Sequence, residues 1–168
     1  MDKNIVLIGM MGSGKTTVGK LLARRLRRTF VDTDTLIEER EGRSIPEIFE
    51  RDGEDVFRAL ELQISRELSD RDGLIIACGG GLPVQEEAIA ALKQNGLVFW
   101  LDRDPGETYD SLNLSHRPLA RSGRDDFICR YQDRTPVYQA WSDHKVCAES
   151  PQTVEAQIAA ICSEVSEP

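Results

Sequence analysis

The stretch Asn4-Ile5-Val6-Leu7-Ile8-Gly9-Met10-Met11-Gly12-Ser13-Gly14-Lys15-Thr16 decides the fold. Its first part, Asn4–Ile8, is a short, nearly unbroken apolar run of the kind that forms a strand buried on both faces. Gly9 to Thr16 then fit the phosphate-binding pattern G-x-x-x-x-G-K-[ST] in full, and a helical pattern follows over residues 15–28. The glycines let successive N–H groups curl inward around a phosphate, and the helix N-terminus adds partial positive charge. Lys15 can reach the β- and γ-phosphates, and the Thr16 hydroxyl can ligate Mg²⁺. An ordinary glycine-rich turn with a chance Lys-Thr would not need the strand before it and the helix after it. This is a nucleoside-triphosphate site.

Outward from that motif, short apolar runs alternate with helical patterns. Strands are expected at 29–31, 74–77, 97–101 and 145–148. Helices are expected at 33–41, from the Ser44-x-x-Glu47 box onward, at 54–69, 86–94 and 105–112, in two pieces at 126–133 and 137–141, and at 153–164. Along 54–69, Val56, Leu60, Ile64 and Leu68 recur every fourth residue and should form the inward stripe; Val154, Ile158 and Ile161 should do the same in the last helix. Residues 113–125 have no periodicity and are expected to be a mobile loop. The alternation implies βαβ units: an α/β fold, a three-layer αβα P-loop domain with a mainly parallel sheet of about five strands. Residues 1–168 should form one domain, without internal repeat or linker.

Composition narrows the function. With 29 acidic against 21 basic residues and a net charge of −8, the chain is a poor candidate for binding nucleic acid or an anionic membrane. No apolar run approaches a membrane span, and the N-terminal apolar stretch is too short for a signal peptide, so a cytoplasmic location is expected. The cysteines Cys78, Cys129, Cys147 and Cys162 have no metal-ligand spacing and are expected to be reduced and mostly buried. Residues 31–70 hold thirteen acids and five bases, most of them expected on the surface, whereas residues 15–30 carry six bases and no acid. The basic run KLLARRLRR is read as a solvated helix face ending at the helix C-terminus. Nothing marks an oligomer surface, and a monomer is expected.

Further chemistry follows the ends of the other strands. Asp32 and Asp34, two apart after the second strand, can both face one cleft, yet either also suits the N-cap of the next helix. Gly79-Gly80-Gly81 after the third strand allow close approach of a ligand, with N–H groups free to donate. In an open α/β sheet, ligands bind at this carboxyl edge. Arg58, Arg117 and Arg134 can supply positive charge for phosphates and for a small carboxylate.

These pieces resemble the shikimate kinase family. The resemblance runs through LIGMMGSGKTTVGKLLA, FVDTDTLIEEREGRSIPEIFERDGEDVFRALE, IIACGGGLP, HRPLA and DRTPVY, in order and over nearly the whole chain. It implies a nucleoside-monophosphate-kinase-like fold and transfer of the ATP γ-phosphoryl group to the 3-hydroxyl of shikimate, on the route to chorismate and the aromatic amino acids, with Mg²⁺. By the family's pattern, the backbone of Gly12, Ser13, Gly14, Lys15, Thr16 and Thr17 holds ATP, Thr16 and Asp32 serve the metal, and Lys15, Asp34 and Arg117 are catalytic. Asp34, Arg58, Gly79, Gly80, Gly81 and Arg134 would bind shikimate, with residues 33–61 as the acceptor-binding region and 113–125 as a lid that brings Arg117 over the phosphates.

Two positions depart from that pattern. The Arg that usually stacks on adenine before the lid motif is absent from residues 109–115, and Cys78 stands where a small hydroxyl residue is usual. Rival readings are a gluconate- or nucleotide-type P-loop kinase and a kinase-like binding module without catalysis. A GTPase lacks support, since no Asn-Lys-x-Asp motif exists.

Overall fold

A computed structural model describes residues 2–112, 122–148 and 153–166. Its strands are β1 (Asn4–Ile8), β2 (Thr29–Asp32), β3 (Leu74–Ala77), β4 (Gly96–Arg103) and β5 (His144–Ala148). They form one sheet in the order β2-β3-β1-β4-β5. Every pair is parallel. The helices are α1 (Lys15–Leu26), α2 (Thr33–Glu41), α3 (Ile45–Asp52), α4 (Glu54–Ser69), α5 (Glu86–Gln94), α6 (Pro105–Asp110), α7 (Arg124–Trp141) and α8 (Thr153–Ser166).

The period-2 geometry of β1 divides the core. Ile5 and Leu7 pack with Val18 and Leu22 of α1 and Ile158 and Ile161 of α8 on one face. Val6 and Ile8 pack with α4, α5 and α7 on the other, among Ile64, Leu68, Ile89, Phe127 and Tyr138. All five residues of β1 are buried, which is why its apolar run does not alternate with polar residues. Each fully buried Ile or Leu contributes about 1.5–3 kcal/mol of transfer free energy. The central strand is therefore a rigid base for the loop that follows it.

Local signals worked as expected at several boundaries. Ser44 and Glu47 form a reciprocal capping box at the start of α3. Arg24 and Arg25 lie exposed in the last turn of α1, where the helix dipole favours cations, and Arg27 closes the helix in the left-handed conformation. Among the described residues, no helix is long and apolar enough to cross a membrane.

Three expectations are corrected. The two helical pieces at 126–133 and 137–141 are one helix, α7, with Pro136 inside it. Proline removes a backbone donor, but Phe127 and Tyr138 anchor α7 in the core at either side and the Thr135 hydroxyl bonds the Tyr131 carbonyl at 2.8 Å. The inward face of α4 keeps Ile64 and Leu68 of the expected stripe, with Leu60 packed against the core, but at its start Val56 is 40% exposed whereas Phe57 and Glu61 are buried. Finally, only Cys78 of the four cysteines is buried; Cys129 and Cys147 are exposed and Cys162 is intermediate.

Candidate active site

The loop between β1 and α1 adopts a curled backbone that only glycine takes without strain, with φ of 145° at Gly9, 76° at Gly12 and 98° at Gly14. Gly14 is the N-cap of α1, so the first N–H groups of that helix face the loop's concavity. The Lys15 ammonium lies across the loop and donates to the Gly9 carbonyl at 2.7 Å and the Met10 carbonyl at 2.8 Å. Ser13 is buried, its hydroxyl without a hydrogen-bond partner among the described residues; Thr16 and Thr17 are exposed at the start of α1.

Asp32 caps the next helix and also reaches the phosphate loop. Its Oδ1 accepts from the N–H groups of Asp34 at 3.0 Å and Thr35 at 3.2 Å, capping α2. Its Oδ2 accepts from the Thr16 hydroxyl at 3.1 Å. One carboxylate thus ties the start of α2 to the phosphate loop. Thr16 and Asp32 together present hard oxygen donors at the loop's mouth, a set that suits Mg²⁺, which takes one or two protein ligands beside substrate phosphates.

Asp34 lies two residues on, in the first turn of α2. Its Oδ1 is buried and accepts no hydrogen bond among the described residues. Burial, reinforced by the negative charges of Asp32 and Glu61 and opposed by Lys15, pushes its carboxyl up to about 7. A carboxyl at that point is half ionised near neutrality, as a general base should be. Its unpartnered oxygen faces Gly79.

The triple glycine explains itself through these neighbours. A methyl group at Gly79 would overlap the Asp34 carboxylate. At Gly80 it would lie 3.2 Å from Arg134 Nη1, and at Gly81 within 2.8 and 2.9 Å of the two terminal nitrogens of Arg58. Each of the three glycines is faced by one of the three side chains expected to bind the acceptor. None of the three has a positive φ, so the requirement is for space and not for backbone freedom. The expectation of free N–H donors is corrected at Gly79, whose N–H donates to the buried Thr33 hydroxyl at 2.9 Å.

α4 and α7 carry the arginines. Arg58 donates to Glu61 Oε2 at 2.6 Å and Glu54 Oε1 at 3.2 Å, with its guanidinium over the Phe57 ring. Arg134 approaches the Met10 sulfur at 4.0 Å from α7. One turn on, the Tyr138 hydroxyl donates to the Gly80 carbonyl at 2.7 Å, locking α7 to the glycine turn. Cys78, directly before that turn, is buried, and burial drives its thiol well above the ordinary range, which leaves it a small packing residue. Arg117 and most of the expected lid, 113–121, lie outside the described residues.

Two participants escaped the sequence reading. Glu61 is 1% exposed; burial raises its carboxyl while Arg58 and, more weakly, Arg134 pull it back. The carboxylate holds the Arg58 guanidinium in place by a short ion pair, and its i,i+3 spacing from Arg58 was visible in the sequence. Tyr138 is the second, and only the packing of α7 reveals its bond to Gly80.

The phosphate loop, a poised carboxylate and two arginines therefore meet at the carboxyl edge of β1, β2 and β3. The family profile for shikimate kinase matches residues 11–166 of this chain. The chain belongs to the shikimate kinase family. The shikimate kinase of Symbiobacterium thermophilum is 42% identical over 163 residues, covering 92% of this chain and 93% of that protein. That of a Sulfurihydrogenibium species is 43% identical over 138 residues, covering 82% and 83%. Among solved structures, the shikimate kinase from Acinetobacter baumannii in complex with shikimate aligns with a TM-score of 0.89 at 32% identity, covering 98% of this chain and 96% of that one. As a member of this family the chain is an ATP-dependent small-molecule kinase.

Proposed function

We propose that the chain transfers the γ-phosphoryl group of ATP to the 3-hydroxyl of shikimate, giving shikimate 3-phosphate and ADP on the route to aromatic amino acids. The observation that carries the residue assignments is the meeting of Asp34, Arg134 and Arg58 over Gly79, Gly80 and Gly81, beside the phosphate loop. Arg58 and Arg134 bind the acceptor's carboxylate, which guanidinium groups recognise through paired N–H donors. Asp34 accepts the proton of the attacking hydroxyl as that oxygen bonds to the γ-phosphorus. The bond to the β,γ-bridging oxygen breaks, and ADP leaves with the electron pair.

The remaining residues neutralise and position. Lys15 and the backbone of residues 12–17 hold the β- and γ-phosphates. Thr16 and Asp32 hold Mg²⁺, which when bound neutralises phosphate charge. Residues 33–61 form the acceptor-binding region, and the segment 113–125 closes as a lid with Arg117 against the phosphates, excluding water. The acidic exterior and the small-molecule site fit a cytoplasmic monomer that binds no nucleic acid; a single monomeric species in sedimentation checks the oligomeric part.

An ADP-release assay with ATP, Mg²⁺ and a panel of shikimate, gluconate and nucleoside monophosphates tests the acceptor. Robust turnover is expected with shikimate alone. Turnover on another acceptor with none on shikimate would overturn the reading.

A further inference from the structure

We propose that Arg103, at the carboxyl end of β4, binds the ADP portion of the donor nucleotide through its phosphates. The assignment rests on the reading of ATP as the donor at the phosphate loop.

Sheet order places it. The acceptor-side groups follow β2 and β3 or approach from α4 and α7, on one flank of β1. In an in-line transfer the acceptor and the leaving ADP lie on opposite sides of the moving phosphoryl group. The ADP portion must then extend over the other flank, toward β4, and Arg103 is the last residue of that strand. Its Nη1 lies 3.4 Å from the Gly12 carbonyl of the phosphate loop and 3.4 Å from the Ser111 hydroxyl beyond α6.

Charge pairing distinguishes Arg103 from its neighbours. Both contacts are at the long limit for a hydrogen bond, both use one nitrogen, and neither partner is an anion. Among the described residues it has no carboxylate partner, although acids stand on either side of it in sequence. Asp102 is taken by the Tyr131 hydroxyl at 2.8 Å and the Lys145 ammonium at 3.0 Å. Asp104 caps α6 through the Glu107 N–H at 2.8 Å. Among the described residues, two neighbouring cations are matched: Lys145 to Asp102, and Arg124 to Asp110 at 3.2 Å. Residues 104–112 add no cation of their own. A half-buried guanidinium left without a counter-ion beside a phosphate loop is suited to an anionic ligand, and a diphosphate is the anion this flank receives.

Calorimetric titration of ADP, together with steady-state kinetics, tests the role in Arg103→Met and Arg103→Lys. Loss of one charge-assisted contact should weaken ADP binding by about tenfold in Arg103→Met and raise the KM for ATP in proportion. The KM for shikimate and the thermal midpoint should stay unchanged, and Arg103→Lys should recover part of the affinity. Unaltered ADP affinity in Arg103→Met would overturn the assignment. So would a parallel rise in both KM values with a lower thermal midpoint, which marks a structural role. Failure of the wild-type chain to bind ADP would strike the donor reading itself.

Discussion

The two flanks of the phosphate loop are built on different principles. On the β2–β3 flank the site consists of ionisable side chains held at depth: Asp34 with an unpartnered oxygen, Glu61 locked to Arg58, and Arg134 against Gly80. Between the flanks the loop itself offers curled glycines, the α1 N-terminus and exposed Thr16 and Thr17, and on the β4 flank stands half-buried Arg103. Every buried charge of the acceptor side depends on a neighbour's position, because an ion out of water must be matched or shift its pKa. The loop depends mainly on its own φ values. Changes on the acceptor flank should therefore spread to several groups, and changes on the nucleotide flank should remain local.

The sharpest way to break this contrast is at Asp34. Asp34→Asn should lower kcat by about 100- to 10,000-fold, the range of a lost general base. ADP affinity, read by titration, should be retained, and a large loss there would show that the flanks are not separate. Next is Gly79→Ala, whose methyl would overlap the Asp34 carboxylate. Overpacking of about 1–3 kcal/mol should appear as a roughly 10- to 100-fold fall in kcat/KM for shikimate. ADP binding should again be spared.

pH gives a smaller effect with a definite sign. Asp34 must be ionised to act, and its carboxyl is pushed up to about 7, so kcat/KM for shikimate should climb with pH through about 7 and then level. Asp34→Asn should remove that inflection. The same shift costs stability in the opposite sense. The folded chain holds this proton more tightly than the unfolded chain does, so the penalty is absent at low pH and grows as pH rises from the ordinary carboxylate range to about 7. Thermal midpoints should accordingly show Asp34→Asn gaining more, relative to wild type, at pH 8 than at pH 4. The smallest effect is expected for Tyr138→Phe, which deletes the bond to the Gly80 carbonyl. A loss of about 1 kcal/mol in denaturant stability, with a slightly higher KM for shikimate, would agree with its role as a lock on the turn.

Legibility in the sequence follows the same division. The phosphate loop was readable because its function resides in glycine conformations, a helix start and one lysine, all contiguous in the chain. Strand positions were readable because β1 and β3 are continuous buried runs. On α4 the apolar spacing marks Ile64 and Leu68 but not the whole inward face, which also carries Phe57 and the polar Glu61 and Ser65. The length of α7 was misread at Pro136, where tertiary anchoring outweighs a local helix breaker.

From the sequence by itself come the α/β class, the nucleotide motif and the residues proposed for the acceptor side, since local periodicity and short contiguous motifs encode them. Only the tertiary structure assigned Asp34 to Gly79, Arg134 to Gly80 and Arg58 to Gly81, and left Arg103 without a counter-ion among the described residues. Those relations join residues from β2 to α7 that lie far apart along the chain. Burial and charge pairing depend on distance in space, and spacing along a chain carries no information about that until the sheet order is set.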